Sequence, residues 1–261
     1  MELLVCIKQV PDDSVTVTLD ADGTPRLDDI TPVVNAFDTY ALEMAARFKE
    51  AHGGSVTVLA VGDESVVPAL RSCLAVGADH ACMLTGTGKS DTRGTAYLLA
   101  QASRKAGEQP FDVIFCGSES TDNAAGQAGA MLAEELSLPV ITNVLALEPV
   151  DGGISARQET EEGCRIVEAP CPCVVTVVKP DYEPRYPSIK SKMAARKMPV
   201  ASLTAADVEA DGSRFGPDAA KVHRVSVSAP ARRQGGVKIQ EKEAAVAVRR
   251  AMEMMAGQKL I

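Results

Sequence analysis

The chain has 261 residues, 46% hydrophobic and 24% charged, enough for one large folded domain with or without an appendage and too apolar for a disordered chain. Lys and Arg number 27 against 35 Asp and Glu, a formal charge of −8, which argues against the basic footprint of a nucleic-acid binder. There is no Trp, with five Phe and four Tyr, so the core must be aliphatic and stacking platforms for single strands are not expected.

From the amino terminus, Leu3 to Ile7 is a short apolar run of the kind found in strands buried on both faces. Val15, Val17 and Leu19 alternate as in a half-buried strand before a turn at Asp22-Gly23, predicting a hairpin-like insertion. A helix is predicted from Thr39 to Glu50, stopped by Gly53-Gly54, and a buried strand from Ser55 to Val61. The alternation continues with a helix over 64–73, a strand over 81–84, a helix over 92–105, a strand over 112–116 and a helix over 127–136. This pattern predicts an α/β fold, a mainly parallel sheet with helices on both faces, whose ligand sites lie beyond the carboxyl ends of the strands.

After Pro139, segments 144–147, 154–157, 165–168 and 173–178 read as strands of an antiparallel extension. Five basic residues follow within 185–197, then a polar stretch over 201–236 too poor in large apolar side chains to close a core. It reads as an extended arm ending in an amphipathic helix over 239–256, whose face of Ala244, Ala247, Val248, Ala251 and Met255 needs a surface to cover it. The domain expectation is therefore 1–184 for the α/β unit, 185–200 for a basic segment that begins the arm and 201–261 for the extended arm and terminal helix.

No apolar run reaches the roughly 18 residues that span a bilayer. The amino terminus shows no basic n-region or cleavage site, so a cytoplasmic protein without membrane insertion is expected. The cysteines at 6, 73, 82, 116, 164, 171 and 173 lie mostly in apolar segments and read as packing residues, with no metal-ligand spacing.

Between a strand and a helix at the favoured sheet edge runs Gly117-Ser118-Glu119-Ser120-Thr121-Asp122-Asn123-Ala124-Ala125-Gly126-Gln127. Small residues let backbone approach a phosphate, and the free N–H groups of the following helix favour an anion, although the segment is neither a Walker loop nor a Rossmann fingerprint. In Asn35-Ala36-Phe37-Asp38, Asp38 reads as a helix N-cap and Asn35 as a residue suited to an adenine edge. No nucleophile with a base, no metal box and no catalytic carboxylate pair is evident, which fits nucleotide binding without turnover.

Several segments together resemble the β subunits of electron transfer flavoproteins: Leu4 to Asp12 its opening strand, Asn35 to Asp38 its Asn-Pro-Phe loop, Ala75 to Asp79 its Met-Gly-Ala-Asp turn, and Glu183 to Ser188 the signature before its docking loop. The resemblance implies an adenine-nucleotide-hydrolase-like fold and a heterodimer whose α subunit holds most of an FAD. It implies AMP bound by Cys6, Asn35, Ala36, Phe37, Asp38, Val61 and the loop from Gly117 through Ala128, with phosphate on the N–H groups of Gly126, Gln127 and Ala128 and with Phe37 toward the flavin.

It further implies docking of dehydrogenases, with transfer onward to an acceptor such as a quinone reductase, through Arg185, Tyr186, Ile189, Lys190, Lys192 and Arg196, with Glu159 facing the α subunit. The chain departs from the family pattern at Ala36, where Pro is usual, and at Gln158, where Arg is usual. Lys8 to Asp12 resembles bifurcating relatives, in which a second FAD replaces AMP and oxidises NADH. A stand-alone ATP-binding module of the universal-stress kind is the reading of another class.

Overall fold

The computed structural model describes residues 1–231 and 235–261; residues 232–234, within the expected arm, lie outside the described residues. In chain order the strands and helices are β1 (Glu2–Cys6), β2 (Gln9–Pro11), β3 (Thr18–Leu19), β4 (Pro25–Arg26), β5 (Pro32–Val34), α1 (Ala36–His52) and β6 (Ser55–Val61). Then come α2 (Val67–Val76), β7 (His80–Thr85), α3 (Thr92–Ser103), β8 (Val113–Gly117) and α4 (Ala128–Leu136). The remainder is β9 (Val140–Val150), β10 (Gly153–Thr160), β11 (Gly163–Pro170), β12 (Cys173–Val177), α5 (Ile189–Ala195), β13 (Ala201–Thr204) and α6 (Ala244–Gly257).

Nine strands form one sheet in the order β11-β10-β9-β12-β8-β1-β6-β7-β13. Every pair from β9 across to β13 is parallel, and for β8, β1, β6 and β7 this is what the strand-helix alternation predicts. Alternate side chains of β1 serve two cores: Leu3 and Val5 pack with Ala41, Phe48 and Leu70 under α1 and α2, while Leu4 and Cys6 pack with Leu98 and Leu132 under α3 and α4. Fully burying each such Leu or Phe contributes about 1.5–3 kcal/mol, so both cores hold the carboxyl edge of the sheet rigid.

Three expectations are corrected. The antiparallel extension comprises β9, β10 and β11 alone; β12 lies between β8 and β9, parallel to both. All five of its residues are buried, so the run Cys-Val-Val-Thr-Val is that of an interior strand covered on both faces. Val15 and Val17 are 45% and 39% exposed and not in a half-buried strand, since the hairpin pairs only Thr18–Leu19 with Pro25–Arg26. The polar stretch after 200 is not an arm from its start: β13 pairs with β7 at the sheet edge, and Val208 is 3% exposed against the α3–α4 core. Short spacing of single apolar residues along 201–220 suffices for an edge strand and its turn, though not for a separate core. Among the described residues no helix is long and apolar enough to cross a membrane.

Candidate functional site

The carboxyl ends of β1, β6 and β8 carry Cys6, Val61 and Gly117 side by side, and the segments leaving them form the walls of the site. α1 begins here because Asn35 takes an extended backbone before Ala36, and Thr39 N–H closes the first turn on the Asn35 carbonyl. Asn35 is nonetheless not a side-chain cap, and neither is Asp38. Asp38, expected to cap its own helix, lies in the first turn and turns outward to the sheet: its carboxylate accepts from Lys8 N–H at 2.7 Å and Gly117 N–H at 3.1 Å. Two strand ends offering unpaired N–H groups outcompete the helix for one buried acceptor. Burial pushes its carboxyl up to about 7, against the opposing pull of the Asn35 side chain and the two N–H groups.

Asn35 is 1% exposed and spends both ends of its amide on the loop after β8. Its Nδ2 donates to the Glu119 carbonyl at 2.8 Å and its Oδ1 accepts from Thr121 N–H at 3.1 Å. These two bonds tie Asn35 to the loop, and its amide keeps a second hydrogen and a second lone pair beside them. Gly117 is required at its position, since a Cβ there would lie 2.4 Å from an Asp38 carboxylate oxygen and 2.7 Å from Phe37 Cβ. Phe37 is half-buried, edge-on to Tyr40 with ring centroids 6.3 Å apart. Cys6 and Cys116 are both buried, and the nearby Cys116 thiol together with burial raises the Cys6 thiol well above its usual range, which suits a packing group and not a nucleophile.

Beyond Ser118, whose N–H donates to the Val177 carbonyl, the loop turns at Ser120, with Asn123 and Ala124 N–H groups on its carbonyl. Lys8 Nζ reaches across to both Asp122 carboxylate oxygens at 2.6 and 2.7 Å and to Ser120 Oγ at 3.3 Å. Burial of Asp122 pushes its carboxyl up, but Lys8 and Ser120 more than offset this and leave it below the usual range. The residues from Thr121 to Ala128, including Ala125, are exposed apart from these tethers. Gly126 has φ 62°, and Gln127 opens α4 without a side-chain cap, so the first N–H groups of that helix have no side-chain acceptor at its start. The expected nucleotide residues thus gather at one edge, while the Lys8–Asp122 pair was missed because it joins residues 114 apart.

A second surface lies after β12. The basic stretch is a helix, not a loop: Ser188 caps α5 by accepting from Ser191 N–H at 3.0 Å. Ile189 and Met193 are 81% and 59% exposed at i and i+4, with Lys190, Lys192 and Arg196 exposed around them and Tyr186 at 95% beside them. Arg185 differs from the docking expectation, because its guanidinium is spent on Glu43 at 2.8 Å and on Glu50. Glu159 is exposed on β10.

A model of the electron transfer flavoprotein domain matches residues 28–208. The chain belongs to the electron transfer flavoprotein family. It is 36% identical over 276 aligned positions to the electron transfer flavoprotein subunit beta of Megasphaera elsdenii, with both chains covered in full. The subunit beta of Thermoanaerobacterium thermosaccharolyticum is 37% identical over 245 positions, covering 90% of this chain and 91% of the relative. The acryloyl-CoA reductase electron transfer subunit gamma of Anaerotignum propionicum is 31% identical over 206 positions, 78% of this chain and 77% of its own. The match to this flavoprotein family spans the sheet edge, the loop after β8 and α5 alike.

Proposed function

We propose that this chain is the β subunit of an electron transfer flavoprotein, a carrier that turns over no substrate of its own. It pairs with an α-type subunit, binds AMP structurally at the β1–β8 edge, and docks redox partners through α5. FAD, bound mainly by the α-type subunit, supplies the electron-carrying chemistry when present. The observation that carries the nucleotide reading is the loop from Gly117 to Ala128: it starts against Phe37, is exposed from Thr121 to Ala128, and leads through Gly126 at φ 62° into α4, which has no side-chain cap.

On this reading Gly126, Gln127 and Ala128 hold the phosphate by backbone N–H groups, and the small residues Ala124 and Ala125 leave room for it. Cys6 and Val61 form the apolar floor, and Phe37 lies toward the flavin. Exposed Ile189 and Met193 supply an aliphatic anchor, and the surrounding Lys190, Lys192 and Arg196 steer acidic partners, including dehydrogenases and an acceptor such as a quinone reductase. Arg185 holds this surface from behind.

A second reading, an electron-bifurcating complex with a second FAD in place of AMP, draws support from the exposed loop at 121–128 and from the acryloyl-CoA reductase electron transfer subunit among the relatives. The test is nucleotide release: the chain is purified with its α-type subunit, denatured, and AMP and FAD are quantified per heterodimer. One FAD with one AMP supports the carrier. Two FAD without AMP replace it by the second reading, and no nucleotide overturns both.

A further inference from the structure

The loop from Gly117 to Gln127 extends past the end of β8 into a stretch with no strand or helix of its own, and its residues from Thr121 onward are exposed. Nothing in its composition selects one shape, yet Ala124 stands at φ 48°, where a side-chain-bearing residue stays only when its surroundings hold it. The constraint comes from outside. Buried Asn35 grips Glu119 and Thr121 from the inner side, and Lys8 grips Ser120 and Asp122 from the solvent side. All of these tethers fall on the half of the loop before Ala124, and the N–H groups offered to an anion follow it.

We infer that Lys8 and Asp122 are positioning residues, an outer bolt that fixes the nucleotide loop in its receptive shape before any ligand arrives. This rests on the nucleotide reading for its purpose, though not for its geometry. The Lys8 ammonium directs its contacts to Ser120 Oγ and the two Asp122 oxygens, so it acts on the ligand through the loop. Behind the bolt, the Lys8 backbone N–H is itself held by Asp38, and the Lys8 carbonyl accepts from Asn35 N–H. The segment after β1 therefore transmits the position of α1 to the loop after β8. With the side chains of Lys8 and Asp122 48% and 31% exposed, the pair is partly screened by solvent, so its effect is modest and salt-dependent.

The test compares wild type with Lys8→Met, Asp122→Ala and the reversed pair Lys8→Asp/Asp122→Lys, each as the full chain purified with its α-type subunit. Hydrogen exchange is followed at the Thr121, Asn123 and Ala124 amides after nucleotide is stripped, and AMP binding is titrated separately. Both single variants are expected to exchange about two- to fivefold faster and to bind AMP more weakly by a similar factor, a difference that shrinks in about 0.5 M salt. The reversed pair is expected to regain most of the protection.

Unchanged exchange in the single variants would overturn the inference. So would a loss in Lys8→Met that neither Asp122→Ala reproduces nor the reversed pair repairs, since Lys8 would then act on something other than Asp122. Failure of wild type to bind AMP overturns the AMP reading separately, and the exchange rates still decide whether the pair holds the loop.

Discussion

Asp38 joins three pieces of chain that the sequence separates widely: the first turn of α1, the backbone after β1 and the end of β8. A carboxyl raised by burial takes up its proton in the native state before it does in the unfolded chain, whose value lies near 3.8. Its contribution therefore favours folding at low pH, declines as pH rises from about 4 toward 7, and is level above that. Urea melts at about pH 4.5 and 7.5 should show a larger loss for wild type across that interval than for Asp38→Asn, in which this titration is gone; parallel slopes would mean Asp38 is ionised throughout. At neutral pH the same variant turns an amide NH2 toward one backbone N–H and should cost about 1–3 kcal/mol. Gly117→Ala places a methyl against the Asp38 carboxylate, and an expected loss of about 1–3 kcal/mol together with lost nucleotide retention can be read from melts and from released AMP.

At the scale of elements, α1 links the sheet edge beside the loop after β8 to the exposed surface of α5. Its first turn carries Phe37 and Asp38, and Glu43 and Glu50 further along hold Arg185 just before α5, while Arg47 lies over the Tyr182 ring at 4.0 Å. Glu43 is 3% exposed; burial pushes its carboxyl up, but hydrogen bonds from Arg185 and Arg47 more than offset that and keep it below its usual range. Arg185→Met leaves this carboxylate with Arg47 alone and should destabilise the fold by about 3 kcal/mol, visible as a lowered urea midpoint, with Arg185→Lys intermediate. Ile189→Glu, by contrast, changes an exposed residue and should leave the midpoint unchanged while slowing electron transfer from a dehydrogenase; equal rates in stopped-flow mixing would remove α5 from the docking surface.

Across the whole molecule, the parallel sheet and its two cores are complete without α6. Among the described residues of that helix none is buried, and Val248 and Met252 are 62% and 52% exposed. Deleting residues 237–261 should leave the melting free energy of the remaining domain within about 0.5 kcal/mol, because no core contact is lost. It should sharply reduce co-purification with the α-type subunit, whose surface is the expected cover for the apolar face. Full recovery of the heterodimer from the truncated chain would assign that face elsewhere.

The sequence by itself determined the alternation of strands and helices, because burial on one face of a helix or both faces of an interior strand imposes periods that a single chain displays. It likewise marked the loop after β8, since a run of small residues between an apolar strand and a helix start is a local feature. The family resemblance singled out the 185–197 segment and the sheet edge around Asn35 and Gly117 through motifs of the same local kind. Only the tertiary structure decided which side chains face one another. Asp38 binds two other segments and does not cap its own helix, Asn35 serves the loop, Arg185 is anchored to Glu43, Lys8 meets Asp122, and β12 sits inside the sheet. Each of these depends on partners brought together by chain folding, and a buried donor or acceptor takes whichever partner the packing leaves within reach.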